Sequence, residues 1–186
     1  MKKYLLFWVL ICLAPFSQAQ DISIESTLES WKYEKLELPL DFAPSITYQG
    51  FEELKFAPGM FKPTSTDYFS YIFLFKLDNN SLLSKKELKT LLEAYYKGLF
   101  SATSANKKTT ATHSDIKVLQ IQGYKTNYHA TLNFHDCFNH CQQLSIIIEL
   151  EQKLQNGNLH LMASASAQPQ SSEVWDIMRR TWYEIK

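Results

Sequence analysis

Alternation of apolar and polar positions marks the strongest strand of the chain at residues 68–77. One side carries large apolar residues throughout, and the other mixes apolar residues with small and charged ones. The first side is Phe69, Tyr71, Phe73, Phe75 and Leu77, and the second is Tyr68, Ser70, Ile72, Leu74 and Lys76. This pattern indicates a central strand that is covered on both sides. A shorter strand is predicted before it at residues 52–56, joined through Pro58, Gly59 and Pro63, which forbid regular pairing.

Helical spacing of apolar residues predicts two helices. Ser84 and Glu87 form a capping-box sequence, and an apolar residue every third or fourth position then predicts a helix over residues 84–100. A second helix is predicted over residues 172–186, with Glu173 in its first turn. Its apolar stripe is Val174, Ile177, Met178, Thr181, Trp182 and Ile185. Each helix therefore has one apolar face to bury against a sheet.

Two turns fix the register of strands between the helices. Asn156 and Gly157 predict a tight hairpin that sets Gln155 opposite Asn158. Another hairpin turns around Asn139. Because paired residues of a hairpin keep a constant index sum, the predicted pairs are Leu132 with Ile146, Ala130 with Ile148, and Ile148 with Ala165. Both registers place apolar residues on one face. We predict an α+β fold: a largely antiparallel sheet of about six strands, with both helices packed on one face.

The N-terminus has the pattern of an export signal. Lys2 and Lys3 precede an apolar run over residues 4–14 that is too short to span a bilayer, and Ser17-Gln18-Ala19 provides small residues for cleavage before Gln20. We predict a signal peptide over residues 1–19 and a single soluble domain over residues 20–186, exported to the periplasm or secreted. No lipid anchor is expected, because Cys12 follows Ile11 inside the apolar run.

Charge and motif content narrow the function classes. The whole chain has 19 basic and 19 acidic residues, so removal of two lysines with the signal leaves a formal charge of about −2. That balance argues against nucleic acid or anionic membrane partners. Phosphate-cradling glycine loops, H-E-x-x-H and G-x-S-x-G are absent from the sequence. No cofactor is predicted, and the absence of these motifs favours a noncatalytic protein without excluding an enzyme.

The densest group of reactive residue types lies at residues 135–141, and three interpretations compete there. In an oxidising compartment Cys137 and Cys141 favour a disulfide, which would stabilise the fold by about 2 kcal/mol through a closed loop of about five residues. A metal site would use His135, Cys137, His140 and Cys141, but C-x3-C lacks the usual spacing of a structural zinc site. A redox-active pair is the third interpretation, although the C-x-x-C spacing is missing.

The derived registers also bring His129, Glu149 and Ser164 into one row, which suggests a hydrolase as an alternative. Glu149 lies on the middle strand, so Ser164 and His129 would be roughly 10 Å apart. A nucleophile needs the histidine between itself and the acid. The row is therefore better explained as a solvent-exposed face of the sheet, on which His129 and Glu149 form a cross-strand pair. His160, opposite Lys153, is likewise predicted at the surface.

A loop rich in aromatic residues and methionine follows the short strand, and Phe56, Met60 and Phe61 are its candidate binding residues. Their side chains either fold back over the sheet edge or form an exposed patch for a small ligand or a protein partner.

The segment F-E-E-L-K-F-A-P-G-M-F-K-P, with D-Y-F-S-Y-I-F and Y-Y-K-G-L after it, resembles a family of exported bacterial proteins of unknown function over residues 50–100. That resemblance implies export and a single domain, and it supplies no activity and no site residues.

We predict a noncatalytic binding or interaction module. The alternatives are a periplasmic hydrolase or metal and redox handling through residues 135–141.

Overall fold

The computed structural model of the chain describes residues 22–185. The predicted signal peptide, residues 1–19, lies outside them. In chain order the strands and helices are β1 (Lys32–Leu38), β2 (Gly50–Phe56), β3 (Ser70–Leu77), α1 (Lys85–Ser104), β4 (Lys117–Tyr124), β5 (Asn127–Asp136), β6 (Gln142–Gln155), β7 (Asn158–Ser166) and α2 (Glu173–Glu184). A short 3-10 turn, His113–Asp115, precedes β4.

The strands form one seven-stranded antiparallel sheet in the order β1-β2-β3-β7-β6-β5-β4. The α+β class is as predicted, but the sheet has seven strands and not about six. The missed strand is β1. Its sequence K-Y-E-K-L-E-L is mostly charged, and only one of its side chains is buried. A charged edge strand of this kind protects a sheet from pairing with other chains, and it lacks the apolar run that reveals a central strand.

Both hairpin registers are confirmed. Leu132 pairs with Ile146, Ala130 with Ile148, and Ile148 with Ala165. The tight turn pairs Gln155 with Asn158, and its two central residues, Asn156 and Gly157, have φ of +53° and +78°. Positive φ at both positions is what a type I′ turn requires, because its twist then matches that of the flanking strands.

The two helices cover opposite faces of the sheet, so the prediction that they share one face is wrong. Tyr71, Phe73 and Phe75 of β3 belong to the core beneath α1. Ile72 and Leu74, which alternate with them, belong to a second core with Trp175 and Met178 of α2. The physical reason is that β3 is apolar on both sides, so each side needs its own cover. The molecule is a three-layer sandwich, helix on sheet on helix.

Helix α1 begins as its sequence predicts. The Ser84 hydroxyl accepts from the Glu87 backbone N–H at 3.3 Å, and the Glu87 carboxylate accepts from the Ser84 N–H at 2.7 Å. The helix continues to Ser104, beyond the predicted end at residue 100. Among residues 22–185, no helix has both the length and the apolar character needed to cross a membrane.

Gly98 is where the segment before β2 packs directly on α1. A Cβ atom at this position would lie 2.2 Å from the backbone oxygen of Phe42 and 2.9 Å from the Cβ of Ala43. Backbone atoms cannot move aside as a flexible side chain can. Glycine is therefore required by close contact, and the same contact holds Phe42 beside Tyr95, with ring centroids 5.3 Å apart.

We expect Gly98→Ala to destabilise the protein by about 1–3 kcal/mol, the usual cost of overpacking. In an open helix the same change would stabilise by up to about 1 kcal/mol. The free energy of unfolding from urea titrations measures the effect. Thr90→Ala, at an exposed position of the same helix, is the control and should change it by less than about 0.5 kcal/mol. A stabilised Gly98→Ala variant would contradict the close contact.

Candidate functional site: an aromatic pocket

The loop between β2 and β3 is ordered by its own hydrogen bonds. The Met60 N–H donates to the Ala57 carbonyl at 2.9 Å, and the Phe69 N–H donates to the Met60 carbonyl at 3.0 Å. Asp67 accepts from the Gly59 N–H at 3.0 Å and from the Ser65 hydroxyl. Burial disfavours the charge on Asp67, but the hydrogen bonds from Ser65 and Gly59 outweigh it and lower the pKa of the carboxyl. These hydrogen bonds hold the loop in a single conformation.

The same loop is joined to the hairpin that carries the two cysteines. The Tyr68 hydroxyl donates to the buried Asp136 carboxylate, which also accepts from the Phe138 N–H at 2.9 Å. Burial, followed by the hydrogen bond and charge of Asp136, raises the pKa of Tyr68 well above its usual value. Ring centroids of Phe61 and Phe138 are 5.1 Å apart. Two segments that are 68 residues apart in sequence at this hydrogen bond therefore build one surface.

An aromatic pocket of about 350 Å³ opens beside that surface, between α1 and strands β1 to β3. Phe61 and Phe138 form its rim and are 49% and 44% exposed, whereas Met60 is buried behind them. The Phe56 ring connects the rim to the interior, with centroids 6.2 Å from Phe61 and 5.8 Å from Tyr71. The other lining residues are Lys32, Glu34, Leu36, Phe42, Leu54, Tyr95 and Leu99. All three candidate residues of the loop, Phe56, Met60 and Phe61, thus line one pocket.

A buried carboxyl group adjoins the pocket. Glu52 is fully buried, and neither of its oxygens has a partner at hydrogen-bonding geometry within the described chain. It lies opposite Leu36 and on the same face of β2 as Leu54, and both of these residues line the pocket. Burial raises the pKa of Glu52 to about 8; interaction with the Tyr95 hydroxyl offsets part of this effect, and the nearby Glu34 charge adds to it.

Tyrosines surround Glu52 on the α1 side. The Tyr71 and Tyr96 hydroxyls hydrogen-bond to each other at 2.5 Å. Burial raises the pKa of Tyr95 well above its usual value, and the Glu52 charge raises it further. The sequence signal for this group was the alternation of Phe56, Leu54 and Glu52 along one face of β2, which puts a carboxyl group in an apolar row. Prediction from the sequence missed Glu52, and it did not connect Tyr95 or Phe138 with the loop.

The adjacent Glu53 provides a contrast, because it faces the other side of the sheet with partners in place. The Ser23 hydroxyl donates to its two oxygens at 3.0 and 2.9 Å, and the Ile24 N–H donates at 2.8 Å. This carboxylate fastens the segment before β1 to the sheet. Glu52 has no comparable structural role.

The cysteines form the predicted Cys137–Cys141 disulfide. Since both sulfurs are in that bond, they provide no thiolate for the alternative metal site with His135 and His140. The His135 Nδ1 lies 3.2 Å from the Cys141 carbonyl, and His140 is exposed. Over residues 22–185 no three His, Cys, Asp or Glu side chains are grouped closely enough to hold a metal ion.

The row of His129, Glu149 and Ser164 has the predicted register, with Glu149 in the middle. Arg179 of α2 donates to Glu149 at 2.7 and 3.1 Å, and these bonds outweigh the effect of burial and lower the pKa of the carboxyl. Ser164 is buried and accepts from the Trp182 indole N–H at 2.9 Å. A polar cleft of about 290 Å³ lies over this row. The serine and the histidine do not meet, so the row does not assemble a nucleophile and its base.

Two other histidines bear on the hydrolase alternative. His160 is fully buried, so its predicted surface position is wrong: the residue lies on the central strand β7, between Lys76 and Lys153 of the neighbouring strands. His113 Nε2 lies 2.6 Å from the Ser101 hydroxyl on the exposed end of α1. In the described chain no carboxylate hydrogen-bonds to His113, and neither His113 nor Ser101 lines the aromatic pocket or the cleft over Glu149.

A third concave surface, of about 610 Å³, lies beside the start of α1. Its lining is mainly polar or small: Ser45, Thr47, Ser84, Lys86, Glu87, Thr90 and Ala94, together with Ile46, Tyr48 and Leu91. It lacks the aromatic enclosure and the buried polar group found at the aromatic pocket. The aromatic pocket is therefore the candidate functional site.

Comparison with known proteins adds no assignment. No family model matches the chain, and neither the curated proteins nor the solved structures give a significant match. The site is thus interpreted from its own geometry.

Removal of the disulfide should lower stability. We expect the double variant Cys137→Ala with Cys141→Ala to lose about 2 kcal/mol of unfolding free energy in urea titrations, because the closed loop of about five residues no longer restricts the unfolded chain. Reduction of the wild-type protein is the control and should cause a similar loss. Two titratable thiols in the native, unreduced protein would contradict the disulfide.

The raised pKa of Glu52 predicts a pH-dependent stability. Its folded pKa of about 8 exceeds the ordinary value of 4.5, so its contribution is complete below pH 4.5 and is lost as pH rises toward 8. We expect the free energy of unfolding of Glu52→Gln to rise relative to that of the wild-type protein over that range, by a total on the order of a few kcal/mol. Urea titrations at pH 5 and pH 8 measure the difference. Glu53→Gln is the matched control and should destabilise at pH 8, since it breaks satisfied hydrogen bonds. An effect of Glu52→Gln that is equal at both pH values would refute the shifted pKa.

Proposed function

We propose that this protein is an exported, noncatalytic binding module that holds a small ligand with an apolar or aromatic body in the aromatic pocket. The observation that carries the proposal is the pocket itself: about 350 Å³ enclosed by aromatic side chains, with two half-exposed rings at its rim. Small-molecule sites in proteins are concave, mostly apolar and about 300–1,000 Å³ in volume.

Preorganisation supports a binding role. Phe61 is held on a loop that is ordered by Asp67, and Phe138 is held on a hairpin closed by a disulfide. The Tyr68–Asp136 hydrogen bond joins these two segments. Walls that are fixed before the ligand arrives lose little conformational entropy on binding, so more of the contact energy contributes to affinity.

The shape of the site favours a small molecule over a protein partner. A protein interface of standard size buries about 800 Å² on each partner. The exposed aromatic groups here are instead the two rim rings, and the remaining aromatic side chains point into an enclosed space. Exposed apolar rings at the mouth of a pocket provide an entry surface for a ligand body that enters the pocket.

Export is part of the proposal. It is supported by the lysine and apolar pattern of residues 1–19 and by the disulfide, since disulfides persist in oxidising compartments. The proposed setting is the periplasm or the exterior of the cell.

Fluorescence of N-phenyl-1-naphthylamine, an uncharged aromatic probe that brightens in apolar surroundings, tests the proposal. We expect saturable binding to the wild-type protein. Phe61→Ala and Phe138→Ala should each weaken it about tenfold, which corresponds to about 1.4 kcal/mol and is typical of losing one aromatic contact. Leu99→Trp should block binding by filling the cavity. Both rim residues are half-exposed, so their truncation leaves the fold intact.

Two exposed tyrosines provide matched controls. Tyr124→Ala removes an aromatic ring that is 77% exposed and remote from the pocket, and it should leave binding unchanged. Tyr183→Ala removes a ring from the polar cleft over Glu149. If Tyr183→Ala abolishes binding while Phe61→Ala does not, the probe occupies the polar cleft and the proposal is wrong.

A further inference from the structure

Charged groups are unevenly distributed along the aromatic pocket. Along β1, Lys32 lies opposite Phe56 at the rim, Glu34 lies opposite Leu54, and Leu36 lies opposite Glu52. Lys32 is exposed, Glu34 is half-buried, and Glu52 is fully buried. The positive charge is therefore at the mouth of the pocket, and the two carboxyl groups lie toward its interior.

The interior carboxyl groups lie close enough to influence each other. The charge of Glu34 raises the pKa of Glu52, as expected for two like charges in a poorly solvated region. The other titratable groups that face Glu52 are Tyr71, Tyr95 and Tyr96, and none of these is a cation. Both oxygens of Glu52 lack a hydrogen-bonding partner among the described residues. Ionised Glu52 would therefore add a second negative charge to that of Glu34 at the inner end of the pocket, with no cation among the groups that face it.

The aromatic rings add to this preference. Ring faces carry partial negative charge, so a cation placed over a tyrosine or phenylalanine ring is stabilised, most strongly where water is excluded. Tyr71 and Tyr95 line the interior, and Tyr95 also interacts with Glu52. Leu36 and Leu54, the strand neighbours of Glu52, complete the lining at this end.

We propose that the aromatic pocket selects ligands with a basic amino group on an apolar body, with the ammonium group at the inner end near Glu34, Glu52 and the rings of Tyr71 and Tyr95. This inference rests on the proposed function and specifies its ligand class. The apolar body contacts Phe56, Phe61 and Phe138, and the ammonium group supplies the counter-charge that the inner carboxyl groups lack.

Ligand binding is then linked to proton release. Below pH 8 the Glu52 carboxyl is protonated in the free protein, and an ammonium group favours its ionised form. The affinity for an amine should fall about tenfold per pH unit below 8 until it equals that for a neutral ligand of the same shape. A neutral ligand shows no such dependence, because it gains nothing from ionised Glu52.

Three ligands with one naphthyl body test the inference: 1-naphthylmethylamine, 1-naphthylmethanol and 1-naphthylacetic acid. Each displaces N-phenyl-1-naphthylamine from the full mature protein at pH 6 and pH 8. At pH 8 we expect the amine to bind at least tenfold more tightly than the alcohol, and the acid to bind most weakly. At pH 6 the amine and the alcohol should bind within about threefold of each other.

Carboxyl-to-amide variants show which carboxyl group causes the preference for amine over alcohol. Glu52→Gln should remove the pH dependence of amine binding and reduce the preference for amine over alcohol by about tenfold. Glu34→Gln, at a half-buried position, should reduce the preference for amine over alcohol about threefold. This second variant keeps the inference testable if Glu52→Gln disturbs the pocket. Glu37→Gln is the control, because Glu37 is exposed on the same strand and faces the opposite side of the sheet.

The outcomes separate the two proposals. If the naphthyl probe does not bind at all, the proposed function fails. If it binds and the three ligands displace it equally well, or the acid does so best, the pocket binds apolar bodies without selecting amines and this inference is overturned. Amine preference that survives both Glu52→Gln and Glu34→Gln would also overturn it.

Discussion

The alternation of side chains along β3 is the constraint on which the rest of the structure depends. Tyr71, Phe73 and Phe75 face α1, whereas Ile72 and Leu74 face α2. Because successive side chains of a strand point to opposite faces, a slip of one residue would exchange the two sets and misfit both helices. Pairing of β3 with β2 on one side and β7 on the other transmits this register to the rest of the sheet.

The aromatic pocket follows from how α1 covers its face. Tyr95 packs on Phe73 with ring planes 11° apart and also contacts Phe42, so the helix is fixed over the centre of the sheet. The space left beside it, over β1 and β2, is closed by the loop with Phe61 and by the hairpin with Phe138. The site is therefore formed at the border of the core, where aromatic packing is incomplete and the rim is held by hydrogen bonds and a disulfide.

Sequence reasoning succeeded where a rule linked one residue directly to another. The hairpin registers followed from constant index sums, and the start of α1 followed from the capping pair at Ser84 and Glu87. It failed where the information is non-local. An amphipathic stripe shows that a helix buries one face, but not which side of the sheet receives it. The burial of His160 and the meeting of Phe61 with Phe138 depend in the same way on distant packing.

The two neighbouring carboxyl groups of β2 differ in how their burial is compensated. Glu53 has three hydrogen bonds from Ser23 and Ile24, so its burial is compensated within the fold. Glu52 is also buried, and interaction with the Tyr95 hydroxyl offsets only part of that burial, so the group costs stability when it ionises. A leucine at this position would pack in the same row as Leu54 without that cost. In the binding mode proposed above, an ammonium group in the adjoining pocket gives Glu52 a compensating interaction, so the group that weakens the fold strengthens the complex.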